Sequence, residues 1–387
     1  MIPTTNHGEK GDPRVLMFSH RNIFEHQVWR CPFQEFQQII QEIDSVDVMA
    51  PTAKSWYATG KRAALRLGEF VNLPLNPGVP EVRVQRDYDM FFTICDGPSD
   101  LLHLTAVKGW RERCKVSVCW MVEFYVREME AYKSCLEVLR EFDYVVFMYT
   151  ANEPFRKAIK GQGQYLPAGI DAIRFCPYPN PPARSIDVLS IGRRAPAVHQ
   201  ALMQMAKDEG KFYVYDTINA LKAYNLEEHR SMIANMAKRS RYFIVSPGKF
   251  DPAAHKQTGG QMEFGYRYFE AAAPGTIMIG MRTNNTEFDK IFNWEDCVIE
   301  VPFDSGAIVD AIHDLDKQPE RLARISRTNA LQCLLHHDWV YRWESVLNWV
   351  GMEPMPGIEP RKARLMERAE MVKETPFAIQ IAHTGNE

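Results

Sequence analysis

Eight cysteines are scattered through the 387 residues without a single CxxC pair, so neither a zinc-ribbon spacing nor a paired redox motif is written into the chain. Isolated thiols in a chain this long fit reduced, buried residues, and no structural zinc is expected. Long apolar runs are missing as well. The longest, YVVFMYTA over 144–151, falls far short of the ~20 residues that a membrane span needs. Charge of one sign is also missing: 46 Lys and Arg stand against 49 Asp and Glu, a formal net charge of −3. No global field then draws the chain to polyanions, and no nucleic acid partner is expected. A local basic patch and a peripheral contact with the inner membrane face stay compatible with this composition. The opening MIPTTNHGEKGDPR has no apolar segment and carries acidic residues, unlike a secretory signal or transit peptide, so a cytoplasmic location is expected. Neither an internal repeat nor a low-complexity tract is visible.

What is present is the usage of a globular protein, 45% hydrophobic and 25% charged, in a chain too long for one ordinary core and about right for two. Short buried runs rich in β-branched and aromatic residues recur at 14–19 (RVLMFS), 46–49 (VDVM), 90–94 (MFFTI), 116–120 (VSVCW) and 144–149 (YVVFMY). Helical spacing separates them, the longest such stretch over 24–43, which predicts a parallel sheet covered on both faces. FCPYPNPPARS (175–185) then places four prolines in eleven residues, which neither a helix nor a central strand tolerates. A second series follows: strands at 187–191, 212–215, 242–245, 276–280 and 297–301, with helices predicted over the stretch after Gly192, over 227–239, from Tyr266, and over 318–333, 339–350 and 361–373. The expected organisation is an N-terminal Rossmann-like domain (1–174), a proline-rich linker (175–185), a C-terminal Rossmann-like domain (186–350) and a helical tail (351–387) returning to the N-terminal domain. Two doubly wound parallel sheets of this kind bind ligands beyond their strand ends, so the chemistry is expected in a cleft that those ends face.

Two constellations sit in such loops. Ile191-Gly192-Arg193-Arg194 directly follows a strand: glycine lets backbone approach a ligand, and arginine offers a fixed fork of donors for phosphate oxygens. GGQMEFGYRYFEAAAPG (259–275) follows the strand YFIV and a polar loop. Here Gly259 and Gly260 leave room for a sugar, a helix opening near Tyr266 turns its free amides toward an anion, and Glu270 lies three residues after Arg267 on the same face. A carboxylate so placed accepts hydrogen bonds from vicinal hydroxyls. By contrast, His336-His337-Asp338 looks like a ligand cluster, yet neighbours on a helix point in different directions, and no metal is expected there.

At these residues the chain resembles glycosyltransferases of the two-domain GT-B fold, nearest the group-1 (GT4-like) retaining enzymes. IGRR (191–194) is similar to the family's diphosphate-binding Gly-Arg. EFGYRYFEAAAPG (263–275) is similar to its E…FG…EA…G motif in Phe264-Gly265, Glu270-Ala271 and Gly275. YLPAGID (165–171) and HHDWVYRWESVL (336–347) resemble the segment before the interdomain crossing and the C-terminal helix. With Arg267 inside the motif, the variant resembles the branch of spore-maturation and cell-envelope glycosyltransferase-like proteins. Two departures stand out: Glu263 and Glu270 are seven apart where the family has eight, and the family's lysine after Gly-Arg is replaced by Val198 and His199.

The resemblance implies a nucleotide-diphosphate sugar (UDP-, GDP- or another) as donor substrate, no cofactor, and a carbohydrate, lipid-linked or small-molecule acceptor. Carried over, Arg193 would bind the diphosphate, Glu270 the ribose hydroxyls and Glu263 the hexose. Gly192, Arg194, Lys249, Gly260, Gln261, Phe264, Gly265 and Arg267 would complete the donor site. His20, Arg21 and Glu123 are expected on the acceptor side, and His103, Asp96 and Glu263 are the candidate catalytic residues. Retention without a metal ion is implied, and no DxD-like pair stands in a suitable loop. An inverting transferase or a nucleotide-sugar epimerase on the same fold, and a non-catalytic GT-B sugar-binding or assembly protein, are the alternatives.

Overall fold

The computed structural model describes residues 12–24, 26–150, 152–216, 222–251, 254, 256 and 258–374. The chain divides into two compact units, one built from 12–24, 37–166 and 346–358, the other from 26–36, 167–345 and 359–374. Residues 1–11, 25, 151, 217–221, 252–253, 255, 257 and 375–387, on which parts of the expected domains, helices and loops fall, lie outside the described residues.

The first unit carries a six-stranded sheet: β1 (Val15–Phe18), β2 (Val46–Met49), β3 (Tyr88–Cys95), β4 (Cys114–Met121), β5 (Tyr144–Phe147) and β6 (Gln162–Tyr165), in the order β2-β1-β3-β4-β5-β6. Every pairing is parallel, with Val15 opposite Met90, Met90 opposite Val116 and Val118 opposite Tyr144. The central β3 is buried along almost its whole length, as a strand covered on both faces must be. Phe91 stacks on Trp110 at 4.6 Å and Trp110 meets Phe142 at 5.0 Å in the core below it.

In the second unit the strands β7 (Ile186–Ser190), β8 (Tyr213–Tyr215), β9 (Ser240–Val245), β10 (Ile277–Gly280) and β11 (Ile299–Glu300) run parallel in the order β8-β7-β9-β10-β11. Val188 faces Tyr213 on one side and Tyr242 on the other. Val188, Leu202, Tyr242, Ile279, Ile312 and Ile325 belong to one buried cluster. Gly280 sits at φ +150°, and a Cβ there would lie 1.9 Å from the Val245 carbonyl oxygen, so β9 and β10 can end side by side only with glycine at this position.

The alternating α/β series predicted from the sequence is thus present, with differences of physical origin. The helix expected over 24–43 begins only at Cys31, because residues 26–27 pair antiparallel with 222–223, and Pro32 fits the first turn of a helix. The strand Gln162–Tyr165 escaped notice because QGQY is polar and pairs on one side only. A fifteen-residue helix, Tyr57–Val71, was hidden by apolar residues on its outer face. The last turns of the 339–350 helix and the residues up to 358 group with the first unit, and residues 359–374 with the second.

Candidate active site

The carboxyl end of β7 leads into the Gly192 turn. Gly192 takes φ +92°, a conformation that L side chains rarely adopt, and its N–H donates to Asp216 Oδ1 at 3.0 Å. Arg194 donates to the same carboxylate and lies over the Tyr215 ring at 5.3 Å. Asp216, which follows β8, therefore fixes both the turn and one of its arginines. Arg193 is left turned outward, 53% exposed, and its one ion pair among the described residues is a loose 3.7 Å approach to Asp251. A cavity of about 790 Å³ adjoins this turn, lined by Arg194, Phe250, Asp251, Arg282, Phe303 and Asp304 among others. It lies beyond the carboxyl ends of β9, β10 and β11, where a doubly wound sheet takes its ligand.

The helix expected from Tyr266 spans Tyr266–Ala272. At seven residues it is too short for its end to make an anion site, so the charge chemistry rests on side chains. Arg267 Nη1 donates to Glu270 Oε2 at 2.7 Å, as the i,i+3 spacing predicts. The other Glu270 oxygen accepts from Arg230 of the Leu226–Lys238 helix. Glu270 is 3% exposed. Burial raises its carboxyl pKa, but Arg267 and Arg230 more than offset this and hold it below the usual carboxylate range. Arg267 Nη2 in turn lies 3.7 Å from where a Gly192 Cβ would stand. The structure thus brings Gly192, Arg267 and Glu270 together, while Arg193 belongs to the more exposed side of the same turn.

Behind Glu270 runs a buried network the sequence did not reveal. Arg230 Nε donates to Glu35 Oε2 at 2.7 Å. Glu35 also accepts from the Asp171 N–H at 3.0 Å and from Trp339 Nε1 at 3.1 Å. Burial pulls the Arg230 guanidinium pKa down, and the flanking carboxylates Glu35 and Glu270 reverse this and raise it. Arg361 continues the series, 2.8 Å from Asp171 and 2.8 Å from Asp338. Of the residues that looked like a metal cluster, Asp338 is thereby engaged by Arg361, and His337 Nδ1 lies 3.2 Å from Arg342. Beside Arg230, His229 Nδ1 is buried without a hydrogen-bond partner among the described residues, and burial, reinforced by Arg230, lowers its pKa. Thr258 and Thr283 likewise bury hydroxyls that find no partner among the described residues.

The remaining donor-side candidates spread out around this centre. Glu263 forms a backbone bridge with Gly248, its carbonyl accepting the Gly248 N–H at 2.7 Å, and its side chain accepts from Gln261 at 2.7 Å. Lys249 and Gly260 both take positive φ, +56° and +86°, at the two ends of that loop. Phe264 is buried edge-on to Phe288 at 5.3 Å and packs the helix from below. Gly265 is the N-terminal flank of the helix in extended backbone.

In the first unit the acceptor-side candidates gather at the carboxyl ends of β1, β3 and β4. The His20 and His103 rings are 5.0 Å apart, and both are buried. His103 Nε2 is 2.8 Å from the Tyr57 hydroxyl, and His20 Nε2 is 3.3 Å from the Asp100 carbonyl. Asp100 in turn accepts the Asp96 N–H at 2.9 Å, and the Asp96 carbonyl accepts the Glu123 N–H at 2.9 Å. Arg21 is exposed at the turn after β1. Tyr57 is the member that sequence reading missed, because it lies on the unrecognised helix, while Asp100 lies between the candidates Asp96 and His103 within Pro98–Ala106, a 3-10 segment.

Comparison with known proteins now has a geometry to meet. The family model described as "Glycosyl transferase-like" matches residues 203–348, of which 203–345 belong to the second unit. Comparison with curated protein sequences finds no match. Among solved structures, the chain is similar to an alpha-glucosyltransferase in complex with UDP and a 13-mer DNA containing an HMU base (12% identity, TM-score 0.52, covering 88% of this chain and 100% of that one). It is similar as well to an alpha-glucosyltransferase in complex with UDP-glucose and DNA containing an abasic site (13%, TM-score 0.50, 88% and 99%). A third is an alpha-glucosyltransferase with UDP and a 13-mer DNA containing a central A:G mismatch (13%, TM-score 0.52, 87% and 99%). The fold is GT-B, built from two Rossmann-like parallel-sheet units. One expectation is overturned: a net charge near zero was read as excluding a nucleic acid partner, yet this same fold occurs in enzymes holding DNA. Net charge averages over the whole surface, whereas a DNA contact needs only a local set of cations.

Proposed function

We propose that the chain is a metal-independent, retaining glycosyltransferase that moves a sugar from a nucleotide-diphosphate sugar to an acceptor hydroxyl. The observation that carries this reading is the convergence, in one unit, of the Gly192 turn, the Arg267–Glu270 pair and a cavity at the strand carboxyl ends. The family-matched segment covers Arg267, Glu270, Arg230 and most of that cavity. In the reaction the bond from the sugar anomeric carbon to the diphosphate oxygen breaks, the acceptor oxygen bonds to that carbon, and a phosphate oxygen takes the acceptor proton. Negative charge grows on the departing diphosphate, and fixed guanidinium groups stabilise it without a divalent ion. Arg193, exposed and loosely held, and Arg267, oriented by Glu270, are assigned that task, while Gly192 lets backbone approach the phosphates. Retention agrees with the alpha-glucosyltransferases that share the fold. His20, Asp96, His103 and Glu123 are assigned to the acceptor side, with Tyr57 holding His103. UDP-sugars are the first donors to test, since UDP occupies those relatives. DNA with a hydroxylated base joins carbohydrate and lipid-linked acceptors as a substrate to test.

A thermal-shift panel of UDP, GDP and ADP tests the reading, because a ligand bound only to the folded state stabilises it by about 2.7 kcal/mol at one hundred times its dissociation constant. One diphosphate is expected to raise the melting temperature, and Arg193→Ala and Arg267→Ala each to weaken the rise. No shift with any of the three overturns the donor assignment. Turnover that is lost in EDTA and restored by a divalent ion overturns metal independence.

A further inference from the structure

The helix Tyr57–Val71 of the first unit packs Ala64 and Leu65 against the core but leaves its larger apolar residues exposed. Trp56, Leu67, Phe70 and, just past the helix end, Leu73 are 51%, 56%, 89% and 59% exposed, although one such residue alone would need no explanation. At about 100° per residue, Trp56, Ala63, Leu67 and Phe70 fall within about 60° of one another on the helix surface. The face that packs inward, marked by Ala64 and Gly68, lies on a different side. Arg62 and Arg66, both exposed, flank the outward stripe, and Lys54 lies 5.7 Å from the Trp56 ring centroid. Lys54, Lys61, Arg62 and Arg66 stand against Glu69 alone over residues 54–73.

Trp56 is not a loose surface ring. A Cβ on Gly60 would lie 2.5 Å from it and one on Gly78 would lie 2.8 Å from it, so two glycines make the seat on which the indole rests. The Lys54 N–H, donating to the Gly78 carbonyl at 2.9 Å, ties that seat together. At the other end Asn72 takes φ 52°, the left-handed turn that stops the helix and leaves Leu73 outward beside Phe70 and Val71. The stripe is therefore preformed, with an aromatic anchor at one end, an aliphatic and aromatic cluster at the other, and arginines along one flank.

We infer that this stripe docks on the surface of an anionic phospholipid bilayer. A preformed amphipathic face with aromatic and aliphatic residues on one side and arginines beside them lies in the headgroup boundary, its apolar side sunk by about 5–10 Å. The flanking cations supply the attraction to anionic lipid. A nucleic acid would use the same cations but leave Leu67, Val71 and Leu73 in water, and for this reason the bilayer is the occupant we assign. The assignment is independent of the donor chemistry proposed for the second unit.

Cosedimentation of the full chain tests this, using vesicles of phosphatidylcholine alone and of equal parts phosphatidylcholine and phosphatidylglycerol. Wild type is expected to pellet with the anionic vesicles and to stay mostly in solution with the neutral ones. Leu67→Ser with Phe70→Ser is expected to lower the anionic-vesicle partition by at least about tenfold, from the apolar area no longer buried. Arg62→Gln with Arg66→Gln is expected to lower it by about fivefold per cation. All four positions are exposed, so the melting temperature of both variants is expected to match wild type, and the arginine pair gives an independent reading should the apolar pair unfold. No partition onto anionic vesicles overturns the inference, as does equal partition by wild type and both variants. A dimer in size-exclusion chromatography that Phe70→Ser splits, without vesicle binding, reassigns the face to a second copy of the chain. Binding to duplex DNA that the arginine pair abolishes and the apolar pair spares, again without vesicle binding, reassigns it to nucleic acid.

Discussion

Arg230 and Glu35 form a two-pronged ion pair inside the second unit, Nε to Oε2 at 2.7 Å and Nη2 to Oε1 at 3.4 Å, and the same guanidinium holds Glu270 through Nη1. One buried cation therefore joins the segment 26–36 to the helix that carries the candidate donor-site carboxylate. Glu270 owes its orientation to this cation as much as to its own helix. Removing Arg230 leaves two buried carboxylates without their shared counter-charge, which costs about 3–5 kcal/mol in comparable pairs. Arg230→Ala is expected to lower the denaturation midpoint of the second unit sharply, and Arg230→Lys to recover only part of the loss, because an ammonium cannot reproduce the fork. Urea unfolding of the three proteins checks this. A midpoint for Arg230→Ala equal to wild type would show that the pair carries no net stability.

Glu270 separates holding from binding. Glu270→Gln keeps the shape but removes the charge that orients Arg267, so the diphosphate-induced thermal shift is expected to shrink as it does in Arg267→Ala. The double variant is expected to lose little more than either single one, since the two residues act on the ligand as one unit. Additive losses in the double variant would mean that Glu270 meets the nucleotide directly.

Much of this geometry is legible in the sequence, and the reasons divide cleanly. Buried parallel strands write themselves as short runs such as MFFTI and YFIV, because both faces are covered. Arg267 and Glu270 are neighbours in sequence, so helical spacing alone predicts their 2.7 Å contact. The Gly192 turn was visible as Gly-Arg after a strand. Glu35 and Arg230 were not visible, because each lies on an amphipathic helix where a charged residue reads as solvent-facing, and only the tertiary fold turns the two inward against each other. Tyr57 was missed with its helix, whose outer apolar residues blur the period that would have announced it. Glu263, read from the motif as a hexose contact, has a backbone role that no spacing reveals, the bridge to Gly248.

Gly192 offers a test of backbone rather than side chain. A Cβ there meets nothing closer than Arg267 Nη2 at 3.7 Å, an ordinary contact, so the cost of Gly192→Ala lies in its φ of +92°. Holding a non-glycine residue in a sparsely populated backbone region costs of order 1–3 kcal/mol. The alanine variant is expected to fold, to melt a few degrees lower and to bind nucleotide diphosphate less tightly. Isothermal titration beside a thermal melt checks both, and unchanged affinity would place the phosphates elsewhere.

His103 Nε2 lies 2.8 Å from the Tyr57 hydroxyl within the first unit, whereas Arg267 and Glu270 belong to the second. If this pair serves the acceptor, Tyr57→Phe and His103→Gln are expected to lower turnover while leaving the diphosphate-induced thermal shift intact. Replacing a residue of the Arg267–Glu270 pair is expected to do the reverse at subsaturating donor. Equal loss of nucleotide binding in the Tyr57 and His103 variants would sink the division of labour between the units.

His229 gives the pH dependence a sign. Burial comes first and Arg230 second in lowering its pKa, so the folded protein binds a proton there less readily than the unfolded chain does. Its contribution to stability is then fully present above the unfolded value of about 6.5 and is lost as the pH falls through the lower folded value. Wild type is expected to lose stability as the pH falls from about 7 through the unfolded value, and His229→Gln to show a flatter profile over that window. Melting temperatures of the two proteins at half-unit steps across that window decide it. Parallel profiles would mean that protonated His229 is accommodated in the folded protein.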